Sequence, residues 1–276
     1  LFRSLMSKKA RPPIPLLDGK IIETHCHLDY LNDEQLKDTL AKARAVGVER
    51  IITIAVSRTN QRVVREIAES SDDVWCTQGL HPHEASTWDA SFRDELDRNA
   101  DHDKVVAIGE CGLDYYYEHS DPITQIQAFE GQLEIATNHK KPVVIHTREA
   151  EADTKAVLTN AAQQLTCKGV IHSFTSSPDL AEFCLAEGFY LGFNGIATFK
   201  NAENVRDVIR QTPIEKILLE TDAPYLTPVP YRGVPNAPYY LPFIAQTIAE
   251  LKGVSIQMLL KTAHQNSIDC FFSESV

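Results

Sequence analysis

Five short apolar runs of this chain each end in residues that can bind a metal ion. The first run closes on the pair His25 and His27. Residues two apart in a strand project to the same face, so both imidazoles would point together from the C-terminal end of that strand. The other four runs end at Glu110, His146, His172 and Asp222. Chance rarely places six such residues at the ends of five strands, so the pattern indicates an enzyme with a metal site.

Strand-like and helix-like segments alternate regularly between residues 21 and 251. Eight short apolar runs are each followed by a segment with apolar residues at helical spacing. Such alternation with short connections predicts a parallel sheet, and eight units close it into a barrel. An open doubly wound sheet is the competitor, but it would not gather ligands from strands one, four, five, six and eight around one point. We therefore predict an α/β protein, a single-domain (β/α)8 TIM barrel.

Two segments fall outside the eight units. A further amphipathic helix is predicted from about Ser255 to Phe272 and should pack on the outside of the barrel. Residues 1–20 are basic and contain prolines, but they lack the apolar stretch of a secretion signal. We predict that residues 1–20 are a poorly ordered N-terminal extension, either native or the remnant of a targeting segment, and that residues 21–276 form the barrel domain.

The charge of the chain limits its partners. It contains 38 acidic and 27 basic residues, for a formal net charge of -11, which argues against unspecific coating of DNA or of an anionic membrane. No run approaches the roughly 18 apolar residues of a membrane span. The six cysteines are scattered without a C-x-x-C pair, which is typical of reduced thiols. These features predict a cytoplasmic protein with no membrane partner and no evident obligate protein partner.

The residue types of the six candidate ligands indicate which ions they would hold. Histidine and carboxylate together suit Zn, Mn or Mg, and the absence of cysteine argues against a closed structural zinc site. Six ligands exceed what one tetrahedral ion needs, so we predict two divalent metal ions bridged by Glu110. Such a pair can activate a water and stabilise the leaving oxygen. Asp222 would lie beside an ion and could take the proton of that water, which makes Glu110 and Asp222 the candidate catalytic residues.

Several other residues near the predicted barrel mouth are candidates for substrate binding. His81 and His83 follow the third strand, where they would contact substrate or simply belong to a capping loop. Arg148 could hold a phosphate oxygen with its planar guanidinium. Tyr115–Tyr117 and Tyr225 offer faces on which an unpaired base could stack, although aromatic runs are also common core material.

Six stretches, spread over nearly the whole chain beyond residue 20, carry a family resemblance. They are ETHCHLDY (23–30), GLHPHEA (79–85), AIGECGLDYYY (107–117), PVVIHTREA (142–150), GVIHSFTSS (169–177) and LLETDAPYLTPVPYRGVPNAP (218–238). In this order they resemble the TatD family of metal-dependent deoxyribonucleases, within the amidohydrolase-like barrels. The resemblance implies the same six metal ligands as the strand ends do. It also implies hydrolysis of DNA ends, commonly with magnesium.

The chain departs from the family pattern at a few positions. Glu23 stands where the family often has Asp, Val234 lacks a commoner basic group, and Ala237 lacks an acidic one. These departures concern substrate contacts and leave the metal ligands intact. Related barrels hydrolyse amides, lactones, phosphotriesters or aminoacyl esters, and barrel shape alone does not choose among them. Hydrolysis of another ester or amide is therefore the alternative, and a non-catalytic barrel stabilised by its metals is the third reading.

The predicted shape of the site points to one form of DNA. A barrel mouth is concave, which suits a frayed end better than the middle of a duplex. We therefore expect the substrate to be DNA ends, preferably single-stranded, with nucleotides released stepwise and blunt duplex cut more slowly.

Overall fold

The fold was analysed in a computed structural model, which describes residues 11–117 and 119–272. Half of the predicted N-terminal extension, residues 1–10, lies outside the described residues. In the described residues the chain forms eight strands and nine α-helices. The strands are β1 (Ile21–Cys26), β2 (Val48–Thr53), β3 (Val74–Gln78), β4 (Val105–Asp114), β5 (Val143–Arg148), β6 (Gly169–Ile171), β7 (Tyr190–Phe193) and β8 (Ile217–Leu219).

Each strand is followed by at least one helix, and the helices cover the outside of the sheet. They are α1 (Asp33–Ala45), α2 (Gln61–Glu69), α3 (Ala90–Asn99), α4 (Pro122–Asn138), α5 (Glu151–Ala161), α6 (Pro178–Ala186), α7 (Glu203–Gln211), α8 (Leu241–Lys252) and α9 (Ile256–Phe271). Short 3-10 helices occupy several of the connections, among them Leu28–Tyr30 and Pro82–Thr87. None of the helices in the described part of the chain has the length and apolarity needed to span a bilayer.

All eight strands are parallel and lie in one sheet in sequence order. The sheet closes where the chain beyond β8 meets the end of β1. There the His27 amide donates to the Ala223 carbonyl (2.8 Å), and the Asp222 amide donates to the His25 carbonyl (2.9 Å). The predicted (β/α)8 barrel is confirmed, and its closure brings the last predicted ligand beside the first two.

The strands are covered on both faces, which explains their nearly continuous apolar character. Every residue of β1 and β4 is buried. Large side chains such as Phe129 of α4 and Phe189 before β7 are fully buried in the principal core, between the sheet and its helices. In β3 and β4 the carboxyl-terminal half of the strand carries the polar side chains Thr77, Gln78, Glu110 and Asp114.

Several strands end at positions other than the predicted ones, and β5, for example, continues past His146 to Arg148. β4 continues four residues past Glu110 to Asp114, whereas β6 and β8 stop at Ile171 and Leu219. His172 and Asp222 therefore lie in the loops that leave these strands. Asp222 has a φ of 58°, a left-handed conformation that turns the chain out of the strand.

The predicted extra helix is confirmed as α9. Its apolar face is buried, and the Asn266 side-chain amide donates to the Ile217 carbonyl at the start of β8 (2.9 Å). Residues 11–20 form no helix or strand, but they contact the barrel, because the Tyr231 hydroxyl donates to the Pro12 carbonyl (2.7 Å) and Leu17 packs against the core. The division of the chain at residue 21 stays a prediction.

Candidate metal centre

Glu110 lies at the middle of the six predicted ligands, although it is only 3% exposed. Its Oε1 atom is 2.8 Å from His172 Nε2 and 3.2 Å from His146 Nδ1. Its Oε2 atom is 3.4 Å from His25 Nε2. Oε1 of Glu110 therefore faces His146 and His172, and Oε2 faces His25.

Asp222 and His27 complete the cluster on the side of β1. Asp222 Oδ1 lies 3.4 Å from His27 Nε2 and 3.7 Å from His25 Nε2. The rings of His25 and His172 stack in parallel, with their centroids 3.8 Å apart. The structure thus brings all six predicted ligands together at the carboxyl ends of β1, β4, β5, β6 and β8.

The cluster has the properties of a site for divalent ions. Both ring nitrogens of His25 are buried, and among the described residues neither has a hydrogen-bond partner. Leaving such an atom unsatisfied costs free energy, and coordination would satisfy Nε2. Ligand atoms of His25, His27 and Glu110 all lie within 4.8 Å of one another, as do those of His81, Glu110 and His146. Nitrogen and oxygen ligands of this kind fit zinc, manganese or magnesium.

The electrostatics of the cluster favour ionised carboxylates. Burial opposes the charged form of Glu110, but the charge of His172 and the hydrogen bonds from His146 and His172 more than offset it and hold the pKa of this carboxyl well below its usual range. Burial also opposes ionisation of Asp222, yet the bond to His27 lowers its pKa. Both carboxylates are therefore available to bind cations.

Glu23 holds backbone segments that carry the predicted ligands. Its Oε1 atom accepts hydrogen bonds from the amides of His25 (3.0 Å) and Thr221 (2.9 Å), so one side chain ties the end of β1 to the chain leaving β8. Complete burial raises the pKa of Glu23 to about 8. The residue that departs from the family pattern thus fixes the backbone around the ligands.

Two buried carboxylates that the sequence analysis did not assign lie beside predicted ligand histidines. Asp114 Oδ2 lies 3.0 Å from His146 Nε2, which leaves His146 Nδ1 directed at Glu110. Glu220 Oε1 lies 3.7 Å from His172 Nδ1, which is beyond hydrogen-bond distance, so of these two carboxylates only Asp114 holds a ring nitrogen of this pair of histidines. Carboxylates that bind the second nitrogen of a ligating imidazole fix its tautomer and orientation.

A simple signal could have identified both carboxylates. Asp114 follows Glu110 by four residues along one strand, so the period of two places both on the same face. Glu220 precedes Asp222 by two residues in the same way. Each of these faces thus carries two carboxylates, of which the prediction assigns one as a ligand.

The two histidines of the loop after β3 contact the cluster. His81 Nε2 lies 3.4 Å from Glu110 Oε1, and burial lowers the pKa of His81 well below its usual range. His83 Nε2 lies 3.0 Å from Asp114 Oδ2. Asp114 thus holds one imidazole of the ligand set and one of the loop.

A cavity of about 810 Å³ opens above the cluster. Arg148 and Tyr225 line this cavity, together with His81 and His83. Tyr115 is not among the lining residues, because its hydroxyl donates to Asp153 Oδ2 (2.7 Å). Of the predicted substrate contacts, the structure therefore brings four to the cavity and places Tyr115 elsewhere.

Arg148 has a defined position in the cavity wall. Its guanidinium carbon lies 3.9 Å from the ring centroid of Tyr116 and 4.9 Å from that of Tyr117, which is the geometry of a cation–π contact. Among the described residues its guanidinium forms no hydrogen bond or ion pair, and it is the single Lys or Arg side chain in the described lining. Its donors are free to bind an anion.

Comparison with known proteins identifies the family. The sequence profile of the TatD related DNase family matches residues 22–272. An Escherichia coli protein, "Uncharacterized metal-dependent hydrolase YcfH", is 39% identical over 252 residues, which cover 89% of this chain and 93% of that protein. The "3'-5' ssDNA/RNA exonuclease TatD" of Pantoea ananatis is 35% identical over 238 residues, covering 84% and 91%.

A solved structure gives the same result for the fold. The crystal structure of YJJV, a TatD homologue from Escherichia coli, superimposes with a TM-score of 0.87 at 28% identity, covering 92% of this chain and 98% of that one. The profile match, the curated relatives and the clustered ligands agree with one another. The chain therefore belongs to the TatD family of metal-dependent hydrolases.

Proposed function

We propose that this protein is a deoxyribonuclease that cleaves phosphodiester bonds at the ends of single-stranded DNA with two divalent metal ions. The observation that carries the proposal is the position of Glu110. One of its oxygens faces His25, and the other faces His146 and His172. A carboxylate in this position would contact both ions of a pair, and such a pair would supply charge stabilisation of the attacking and leaving oxygens in phosphate-ester hydrolysis.

The ligands divide into two sets around this carboxylate. His25, His27 and Asp222 would hold one ion, and His146 and His172 would hold the other. Bound divalent ions would neutralise the charge of the phosphate and make the attacking water more acidic. Magnesium, manganese and zinc are all compatible with these ligands.

The protein's own residues supply the remaining steps. Asp222 is buried less deeply than Glu110, with 15% of its side chain exposed at the cavity, so it can accept the proton of the attacking water. Arg148 can hold a phosphate oxygen with its free donors. His81, kept neutral by burial, can donate a hydrogen bond to another oxygen of the same phosphate.

Two further observations support a DNA end as the substrate. A relative that is 35% identical carries the name of a single-stranded DNA/RNA exonuclease. The cavity is a concave mouth with one free cation in its described wall, which suits one or a few phosphates and not a long duplex. A charge of -11 on the whole chain disfavours extended contact with polyanions.

The test compares end-labelled linear single strands with a closed circle of the same sequence. We expect linear strands to be shortened stepwise, blunt duplex to be cut more slowly, and all cleavage to stop after exhaustive chelation and return with added Mg²⁺, Mn²⁺ or Zn²⁺. Circles cut as fast as linear strands would refute end-directed action. Inactivity on all DNA with turnover of an aminoacyl ester would identify a different ester hydrolase, and full activity without metal would refute the metal mechanism.

A further inference from the structure

Exposed aromatic rings gather at the barrel mouth. Among the described residues, every Tyr, Phe or Trp with an exposed side chain is a tyrosine of this region, namely Tyr30 (57%), Tyr116 (50%), Tyr117 (43%) and Tyr225 (49%). Single exposed apolar groups are common on proteins, but a group of rings around a cavity is a feature of binding surfaces.

Tyr30 and Tyr225 form a pair in direct contact although 195 residues separate them. Their hydroxyls are 2.8 Å apart and hydrogen-bonded. Their rings meet edge to face, with centroids 5.9 Å apart and planes at 81°. The Tyr225 hydroxyl donates this bond and the Tyr30 hydroxyl accepts it, and about half of each side chain remains exposed to a ligand.

This pair lies directly beside one set of metal ligands. The centroids of Tyr30 and Tyr225 are 6.1 and 6.2 Å from that of His27, and both tyrosines line the cavity. Arg148 is at the end of β5, which the strand order places across the barrel from β1. The cavity thus has an uncharged aromatic wall on one side and a cationic wall on the other.

We propose that the Tyr30–Tyr225 pair is a subsite that stacks an unpaired nucleobase of the nucleotide next to the scissile phosphate. The inference rests on the proposed function, because it takes the phosphate to lie at the cluster around Glu110. A nucleotide joins a flat base to a phosphate through a single sugar, which matches a ring platform adjoining the ligands. A base in a duplex is already stacked and paired, so the platform selects single strands.

Stacking on aromatic side chains tolerates every base because every base has a π face. Removal of such a ring typically weakens binding by about 5- to 150-fold. We expect Tyr225→Ala and Tyr30→Ala to fall in this range for single-stranded DNA. Tyr225→Phe and Tyr30→Phe keep the ring and lose the hydroxyl bond, so they should lose less.

The experiment is a double-mutant cycle between protein and substrate. A single-stranded decanucleotide is made with each base in turn replaced by an abasic tetrahydrofuran. Cleavage is followed as kcat/KM, and binding is followed separately by fluorescence anisotropy on the magnesium-loaded protein with hydrolysis-resistant phosphorothioate strands. Met258→Ala is the matched control, because Met258 is an exposed apolar side chain of α9 outside the cavity lining.

We expect binding to depend on the base at one position of the decanucleotide. Base removal there should weaken wild-type binding about 5- to 150-fold and have little further effect in Tyr225→Ala or Tyr30→Ala. Additive losses, or a wild-type protein indifferent to base removal at every position, would overturn the subsite even if DNA is cleaved. Tyrosine-dependent base binding without cleavage of any DNA would refute the proposed function and leave the subsite standing.

Discussion

At the scale of single residues, Glu110 connects more of the site than any other described side chain. Its two oxygens contact His25, His81, His146 and His172 within 3.4 Å. Because the carboxylate is buried among imidazoles, its charge compensates both halves of the cluster at once. Loss of that charge should therefore unbalance both ion sites.

Glu110→Gln should lower turnover of single-stranded DNA by at least about a hundredfold, the low end of what charge stabilisation contributes in mutational terms. The fold should survive, because Gln has the same shape. Initial rates and thermal melts of both proteins measure the effect. A folded Glu110→Gln protein with ordinary turnover and full metal occupancy would show that Glu110 does not bridge two metal ions.

Asp222 offers a test that separates ligation from proton transfer. Asp222→Asn keeps an oxygen that can ligate but removes the group that accepts a proton, so turnover should fall more than metal occupancy does. Occupancy is measured by metal analysis after dialysis, and turnover in the same samples. If both fall in parallel, Asp222 is a ligand only.

A substitution of Asp114 tests whether this carboxylate orients His146 for metal binding. Asp114→Asn should weaken divalent-ion binding about 10- to 100-fold, because His146 Nε2 loses its charged partner. Calorimetric titration of the metal-free protein with Zn²⁺ or Mn²⁺ measures this without any need for catalysis. Asp38→Asn, at an exposed carboxylate of α1, should leave the affinity unchanged. Equal affinities in both variants would contradict the orienting role.

At the scale of elements, β4 determines the geometry of the centre. It carries both Glu110 and Asp114, and between them Gly112 pairs with His146 of β5. Gly112 has a φ of 129°, and a Cβ there would lie 2.0 Å from the His146 carbonyl oxygen. A residue with a Cβ would therefore disturb the pairing of β4 with β5 beside the contact of Asp114 with His146.

Gly112→Ala should reduce the free energy of unfolding by about 2–6 kcal/mol, as backbone strain and overpacking add. Urea unfolding measures the change. Gly253→Ala is the matched control, because Gly253 also has a positive φ (64°) but has open space around it, and should cost only about 1–2 kcal/mol. Similar losses at both positions would mean that the contact with β5 is unimportant.

The same strand shows what periodicity could predict. Alternating apolar runs predicted β4, and its face of period two holds Glu110, as expected. Its continuation to Asp114 was not predicted, because the run contains two glycines and a polar residue that resemble a strand end. Hydrogen bonds to β5 up to the pairing of Asp114 with Arg148 hold this segment in the sheet.

At the scale of the whole molecule, the negative net charge opposes binding of DNA, whereas the cation in the cavity wall favours it. The chain carries a charge of -11, and Arg148 is the single Lys or Arg in the described cavity lining. Affinity for DNA should therefore come from a few local contacts and not from a basic surface.

We expect the logarithm of affinity for single-stranded DNA to fall with the logarithm of salt concentration with a slope of roughly -1 to -3, at about -0.7 per phosphate contacted. Anisotropy titrations between low and moderate salt give the slope. Arg148→Gln should make it shallower by about 0.7. A slope steeper than about -5 would indicate an extended basic binding surface instead.

The sequence by itself determined the barrel and the six residues that converge in it. Strand and helix periodicities are local properties, and parallel strands that alternate with helices bring their carboxyl ends to one edge. His25 and His27 could therefore be assigned together with Asp222 before any contact was known. The family resemblance led to the same residues.

Only the tertiary structure decided which residues surround the ligands. The partnership of Asp114 with both His83 and His146 and the pairing of Tyr30 with Tyr225 join segments far apart in the chain, and no local pattern encodes such distances. Tyr115 shows the same limit, because its neighbours are equally aromatic, yet its hydroxyl turns to Asp153. Side-chain direction in loops follows from packing across the closed barrel, which exists only after the chain has folded.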